Sequence, residues 1–267
     1  MIMKDILSEI CAYKRIEVAK QKEAVPFDTI VEMAGKLMAE DGSPIRSMRG
    51  SLEESKSGII AEFKRKSPSK GWIKEDGKPE IIPPSYSENG AAALSILTDE
   101  NYFGGSMAFL KTARKLVETP ILRKDFIIDE YQLYQAKIIG ADAVLLIAAD
   151  LTKDECRNLA HTAHELQLET LLEIHSESEL EYVGDCIDMV GVNNRNLGTF
   201  HTNVQNSFRL SELLPKDMLR VSESGISNPD TVNELRQAGF RGFLIGENFM
   251  KTENPGAALA EFISKIR

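Results

Sequence analysis

The chain has 267 residues, 42% of them hydrophobic and 27% charged, which suits a soluble globular protein and is enough for one α/β barrel. Its net charge of −9 argues against a nucleic-acid partner, because binding to a phosphate backbone needs a basic face. Cys11, Cys156 and Cys186 lie far apart with no C-x-x-C pair, so they suit a reducing cytoplasm and offer neither a disulfide framework nor a metal site.

The first residues, MIMKDILSEI, break their apolar positions with Lys4, Asp5 and Glu9, so no signal-peptide core is expected. Residues 1–57 read as helical. Ile2, Ile6, Ile10 and Tyr13 fall on one face of a first helix, with Lys4, Glu9, Lys14 and Arg15 elsewhere. A second helix covers PFDTIVEMAGKLMA, and a short third precedes Ser57. Such an extension can close the floor of a barrel, reach over its mouth, or do both.

From residue 58 onward, apolar runs alternate with amphipathic helical stretches. The expected strands are GIIAEF (58–63), ALSILT (93–98), PILRKD (120–125), AVLLIAA (143–149), ETLLEI (169–174), IDMVGV (187–192), MLRVSE (218–223) and GFLIGE (242–247). The longest apolar run, Ala143 to Ala149, is too short to cross a bilayer and reads as a strand buried on both faces. Between strands, stretches such as SMAFLKTARKLVE and TKDECRNLAHTAHEL have helical periodicity. Pro229 sits early in one helix, and Gly140 and Gly239 stand at helix exits. Eight β/α units without a G-x-G-x-x-G or a P-loop favour a closed (β/α)8 barrel of the TIM type over an open sheet.

In such a barrel, chemistry sits at the carboxyl ends of the strands. Glu62, Lys64 and Ser67 end the first strand, Lys124 the third, Glu173 the fifth, Asn193 and Arg195 the sixth, and Glu223, Ser224 and Gly225 the seventh. Charges inside apolar strands are costly unless paired or used. Any one of Glu62, Lys124 and Glu173 is what a structural ion pair would look like; all three on alternate strands point to a carboxylate–ammonium centre for acid–base chemistry. Ser224 and Gly225 after strand seven, with Gly246 and Glu247 after strand eight, read as a phosphate site. Lys64, Arg65, Lys66 and Lys70 can supply countercharge, and Trp72 and Phe103 can stack on an aromatic ligand or pack locally. His161 and His164 read as surface residues of an outer helix, His175 as a neighbour able to orient Glu173, and His201 as a loop residue.

AEFKRKSPSKG, LSILTDENYFGGS, PILRKDFIIDEYQLYQA, GADAVLLIAA, VGVNNRNL, VSESGIS and FLIGENFM resemble the successive strand-end motifs of the indole-3-glycerol phosphate synthase family, over the whole chain. The resemblance implies ring closure, decarboxylation and dehydration of 1-(2-carboxyphenylamino)-1-deoxyribulose 5-phosphate in tryptophan biosynthesis, with no cofactor and no metal. It implies that Lys124 is the general acid on the ribulose carbonyl, Glu173 the acid–base group of dehydration and Glu62 the partner holding Lys124. Lys64 matches a lysine beside the substrate carboxylate, and Asn193 and Arg195 match residues that position substrate. Ser67 and Glu223 fall among its substrate contacts. Phe103, Phe126, Leu145, Ile147 and Leu197 match its apolar wall, and Ser224, Gly225, Gly246 and Glu247 its phosphate positions. The expected partner is a phosphorylated small molecule, with no nucleic acid or membrane and with room for association with other tryptophan-pathway enzymes. The sequence departs from the family pattern after SPSKG, where Pro83 and Pro84 delay the first barrel helix to about Pro84. A Schiff-base aldolase with Lys124 as nucleophile, a phosphoribosyl isomerase and a non-catalytic phosphosugar binder are the competing readings.

Overall fold

The computed structural model describes residues 6–40, 42, 45–196 and 199–267. Eight parallel strands close on themselves: β1 Ile59–Phe63, β2 Ala93–Leu97, β3 Ile121–Lys124, β4 Ala143–Ile147, β5 Glu169–Ile174, β6 Met189–Asn193, β7 Leu219–Glu223 and β8 Phe240–Ile245. Each pairs with its sequence neighbours, and β1 pairs with β8 through Ile59↔Phe243 to Ala61↔Ile245. This is the TIM barrel expected from the alternation of strands and helices. The eighth strand begins at Phe240 rather than Gly242 and ends at Ile245, which leaves Gly246 as the cap and Glu247 as the first residue of the short helix beyond it.

Period-2 alternation explains both the core and the mouth. Ile60, Leu122, Leu145, Leu171, Met189, Val221 and Leu244 fill the barrel interior. The residue two positions beyond Ile60, Leu122, Leu171 and Val221 points to the same side. Those residues are Glu62, Lys124, Glu173 and Glu223. A larger apolar shell, including Leu94, Ile96, Val144, Leu146, Leu172, Val190 and Phe243, packs between the strands and the outer helices.

The outer helices are α4 Ile82–Glu88, α5 Met107–Arg114, α6 Tyr131–Ile139, α7 Lys153–Glu165, α8 Gln205–Ser211, α9 Pro229–Gln237, α10 Glu247–Met250 and α11 Pro255–Ser264. Local chemistry sets their ends. In α7 a capping box of Thr152 and Glu155 satisfies the first N–H groups, and α6 stops at Gly140 in the left-handed region. Helix α4 starts at Ile82 with Pro83 and Pro84 in its first turn, where their missing N–H groups cost no hydrogen bond. Between β5 and β6 only a 3-10 segment, Glu177–Tyr182, is formed among the described residues.

Three helices precede the barrel: α1 Ile6–Ala24, α2 Phe27–Glu40 and α3 Met48–Glu54. Helix α3 inserts Met48 and Leu52 into the interior cluster from the amino end of the strands, and Ser47 and the Arg49 N–H bind Glu169 at the start of β5. Helix α1 lies at the opposite end, with Ile6, Leu7 and Ile10 against the mouth. The extension therefore closes the floor with one helix and walls the mouth with another. The buried face of α1 is Leu7, Ile10, Cys11, Lys14 and Val18, rotated from the expected Ile2–Ile6–Ile10–Tyr13 stripe. Ile2 lies outside the described residues, and Tyr13 is exposed. The reason is Lys14, whose charge is buried in an ion cluster that only the folded chain assembles.

Candidate active site

A cavity of about 590 Å³ opens at the carboxyl ends of the strands. Glu62, Lys64, Ser67, Phe103, Lys124, Phe126, Leu145, Ile147, Glu173, Asn193, Arg195, Glu223, Ser224, Gly225, Gly246 and Glu247 all line it. Leu197 lies outside the described residues. Trp72 does not line the cavity; half-exposed, it carries the Arg65 and Lys66 side chains over its ring and packs on Gly104. His161 and His164 face outward on α7 beside Glu165 and Asp188.

At the centre, the Lys124 Nζ lies 3.0 Å from Glu173 Oε2 and 3.5 Å from Glu223 Oε2. Lys64 Nζ lies 2.6 Å from Glu62 Oε1. Glu62 thus makes its short contact with Lys64 and acts on Lys124 only through its charge at longer range. Lys64 follows Glu62 by two on the same strand side, so the two meet locally; Lys124 reaches the carboxylates of β5 and β7 instead.

Two glycines make room for these carboxylates. A Cβ on Gly191 of β6 would sit 2.1 Å from Glu223 Oε1, and one on Gly246 would sit 2.5 Å from Glu62 Oε1. Any larger residue would push the acid out of the cluster.

The three acids are buried and Lys124 is partly so, and their titration follows from that. Burial opposes the Lys124 charge, but Glu173, Glu223 and Glu62 outweigh it and hold the ammonium above the usual lysine range. Burial likewise opposes ionisation of Glu173, yet Lys124, His175 and a hydrogen bond from Asn193 pull it down to about 2. Burial drives Glu223 up to about 8; Lys124 resists this, while Glu173 and Glu62 add to it. Lys124 and Glu173 therefore favour opposite charges, while burial and the neighbouring acids favour the proton on Glu223. His175 Nε2 stands 3.4 Å from Glu173 Oε1, near it but without a hydrogen bond to it.

The remaining walls divide by chemistry. On the side of β2–β4, Phe103 and Phe126 form a tilted pair with centroids 5.9 Å apart, beside Leu97, Leu145, Ile147 and Ile10. Across the barrel, the loops after β7 and β8 contribute Ser224, Gly225, Gly246, Glu247 and Asn248. Ser224 and Gly225 are successive left-handed residues at φ +67° and +77°, a strained turn that persists because its surroundings fix it. Glu247 turns toward Lys70, at 4.0 Å. Arg195 donates to Ser69 Oγ at 2.6 Å, tying the β6 loop to the β1 loop.

Sequence reasoning missed Ile6, Leu7 and Ile10 as cavity residues, and also Ser69 and Lys251. These residues come from the amino-terminal extension and from loop positions that no strand end marks.

A closed (β/α)8 barrel whose mouth pairs an ammonium with buried carboxylates, between an apolar wall and two glycine-bearing loops, defines the class of barrel enzymes acting on small phosphorylated substrates. A family profile for indole-3-glycerol phosphate synthase matches residues 7–262. A curated relative of that name from Bacteroides thetaiotaomicron is 62% identical over 99% of this chain and 100% of its own length. Another, from a Polaromonas species, is 43% identical over 97% and 98%. The chain belongs to the indole-3-glycerol phosphate synthase family. Among solved structures, the tryptophan synthase alpha subunit of Legionella pneumophila aligns with a TM-score of 0.61 at 14% identity, covering 83% of this chain and 98% of that one. A KGPDC structure from Streptococcus mutans gives 0.60 at 14%, covering 78% and 97%. These two show a shared fold alone.

Proposed function

We infer that this chain is a carboxy-lyase of tryptophan biosynthesis, converting 1-(2-carboxyphenylamino)-1-deoxyribulose 5-phosphate to indole-3-glycerol phosphate, carbon dioxide and water. Beyond family membership, the observation that carries the reading is Lys124, held charged among buried acids between an aromatic wall and the loops after β7 and β8.

The substrate has an aromatic ring at one end and a phosphate at the other, and the cavity offers a complement to each. The ring lies against Phe103, Phe126, Leu145 and Ile147. The phosphate lies at Ser224, Gly225, Gly246 and Glu247, with Lys70 and Lys251 supplying positive charge. Asn193, Arg195, Ser67 and Glu223 hold the chain between them, and Lys64 faces the ring carboxylate. This grip brings the ring carbon bearing the carboxylate close to the ribulose carbonyl, removing much of the entropic barrier to closure.

As the carbon–carbon bond forms, Lys124 gives its proton to the carbonyl oxygen. A charged ammonium is the right species for that step and the wrong one for imine formation, which disfavours the aldolase reading. Carbon dioxide then leaves its bonding electrons to the ring and restores aromaticity. Dehydration expels the new hydroxyl as water and removes a proton from the neighbouring carbon, with Glu173 as the acid–base group. Protonated Glu223 donates a hydrogen bond to substrate, as a carboxyl kept neutral by its site can.

The extension and the barrel are taken as one domain, since α1 walls the mouth and α3 fills the floor. No helix among the described residues is long and apolar enough to cross a membrane, and the three free cysteines suit the cytoplasm as its compartment. The test is indole fluorescence after mixing the purified protein with substrate in the absence of added metal. Sustained turnover is expected; silence from folded protein overturns the reading.

A further inference from the structure

Outside the catalytic cluster, the most heavily connected buried charge is Lys14 on α1, only 1% exposed. Its Nζ lies 3.0 Å from Glu17 Oε2, 3.0 Å from Asp99 Oδ2 and 3.0 Å from Asp125 Oδ1. The two aspartates belong to different loops. Asp99 follows β2, and Asp125 follows Lys124 directly at the end of β3.

Each aspartate also fixes the backbone of one aromatic wall residue. Asp99 Oδ1 accepts the N–H groups of Tyr102 at 2.8 Å and Phe103 at 3.3 Å. Asp125 Oδ1 accepts the N–H of Phe126 at 2.9 Å. The far oxygen of Asp125 takes Arg123 at 2.9 Å and Thr98 at 2.6 Å. One ammonium therefore bridges the two loops that carry the Phe103–Phe126 pair. One helical turn before Lys14, Ile10 lines the same cavity, with Leu7 and Ile6 beyond it.

We propose that Lys14 is a positioning residue for the aromatic half of the substrate site, tying helix α1 to the loops that present Phe103 and Phe126. The proposal rests on the reading of that wall as the seat of the substrate ring. Lys14 does not line the cavity itself; its one direct contact there is Asp125, and it acts through the two aspartates. Its burial makes the tie stiff: a lysine without these acids would not stay charged here, and the acids without it would face one another uncompensated.

The tie predicts losses confined to one end of the substrate. Lys14→Met should raise KM, and weaken binding of the substrate analogue whose carbonyl is reduced to an alcohol, by roughly tenfold or more, since displaced positioning groups cost on that scale. Turnover at saturation should fall far less, and inhibition by inorganic phosphate should stay at the wild-type value. Because Lys14→Met leaves two buried acids and can unfold the chain, Lys14→Met/Asp99→Asn is measured beside it. The asparagine oxygen can still accept the Tyr102 and Phe103 N–H groups, so the loop stays capped and only the tie to α1 is lost. A raised KM in the folded double variant supports the proposal. A wild-type KM there, or equal losses of phosphate and analogue binding, overturns it while leaving the synthase reading intact. Absence of turnover in the wild type would instead fault that reading.

Discussion

Lys124 and Asp125 are neighbours on the chain, yet they belong to charge clusters of opposite character. Around Asp125, two cations, Lys14 and Arg123, meet Asp99, Asp125 and the more exposed Glu17. Each aspartate oxygen faces a cation, a hydroxyl or a backbone N–H, Asp99 Oδ2 through the Lys14 ammonium alone and without a hydrogen bond. Around Lys124, three glutamates crowd two lysines in a cavity wall, Glu223 Oε1 has no hydrogen-bond partner, and neither nitrogen of His175 has one. The first cluster is paired on every side and serves as a brace. The second is left short of partners and responds by holding protons where an ordinary glutamate would not. A buried polar network that is incomplete is costly for stability, and it is where a bound substrate can supply what is missing.

The sharpest break between the two should come from the brace. Asp125→Ala takes its carboxylate from buried Arg123 and leaves Lys14 with only Asp99 and Glu17, and removing one partner of a buried pair costs about 3–5 kcal/mol. Urea denaturation should show a loss of that order; a loss near zero would mean the brace is decorative. Glu173→Gln leaves Glu223 to face the Lys124 ammonium, so its urea loss should be smaller than that of Asp125→Ala while kcat falls about a hundredfold or more, the usual worth of a positioned acid–base group.

The acid surplus of the mouth has its own signature in pH. Glu223 is raised from an ordinary 4.5 to about 8, so between those values the folded protein keeps a proton that the unfolded chain releases. Stability from this group is therefore present at low pH and declines as pH rises toward about 8. Glu223→Gln should flatten that part of a melting-temperature profile; an unchanged slope would assign it elsewhere. The smallest effect is expected at half-exposed Lys70. Lys70→Ala should weaken phosphate inhibition by severalfold at low salt and by less as salt screens the charge.

Much of the mouth was legible in the sequence because a strand has a strict period. Once Ile60, Leu122, Leu171 and Val221 point inward, the residues two further on must do so as well, and those are the charged ones. The brace was not legible. Lys14 sits among Lys4, Glu9 and Arg15 and reads as part of a solvated face, and nothing local announces that Asp99 and Asp125, over eighty residues away, will close around it. The same blindness rotated the buried stripe of α1 and hid Ile6, Leu7 and Ile10 from the cavity. Partner choice within the mouth was equally out of reach. Lys124 meeting Glu173 and Glu223 most closely depends on side-chain reach across the barrel, which spacing along one strand does not encode.

The most direct test of the contrast is Lys124→Met, followed both for turnover and for binding of the substrate analogue whose carbonyl is reduced to an alcohol. If Lys124 delivers the proton, turnover should fall about 10²-fold to 10⁴-fold while analogue binding changes little. Equal loss of binding and turnover would contradict the account and make Lys124 a binding charge instead.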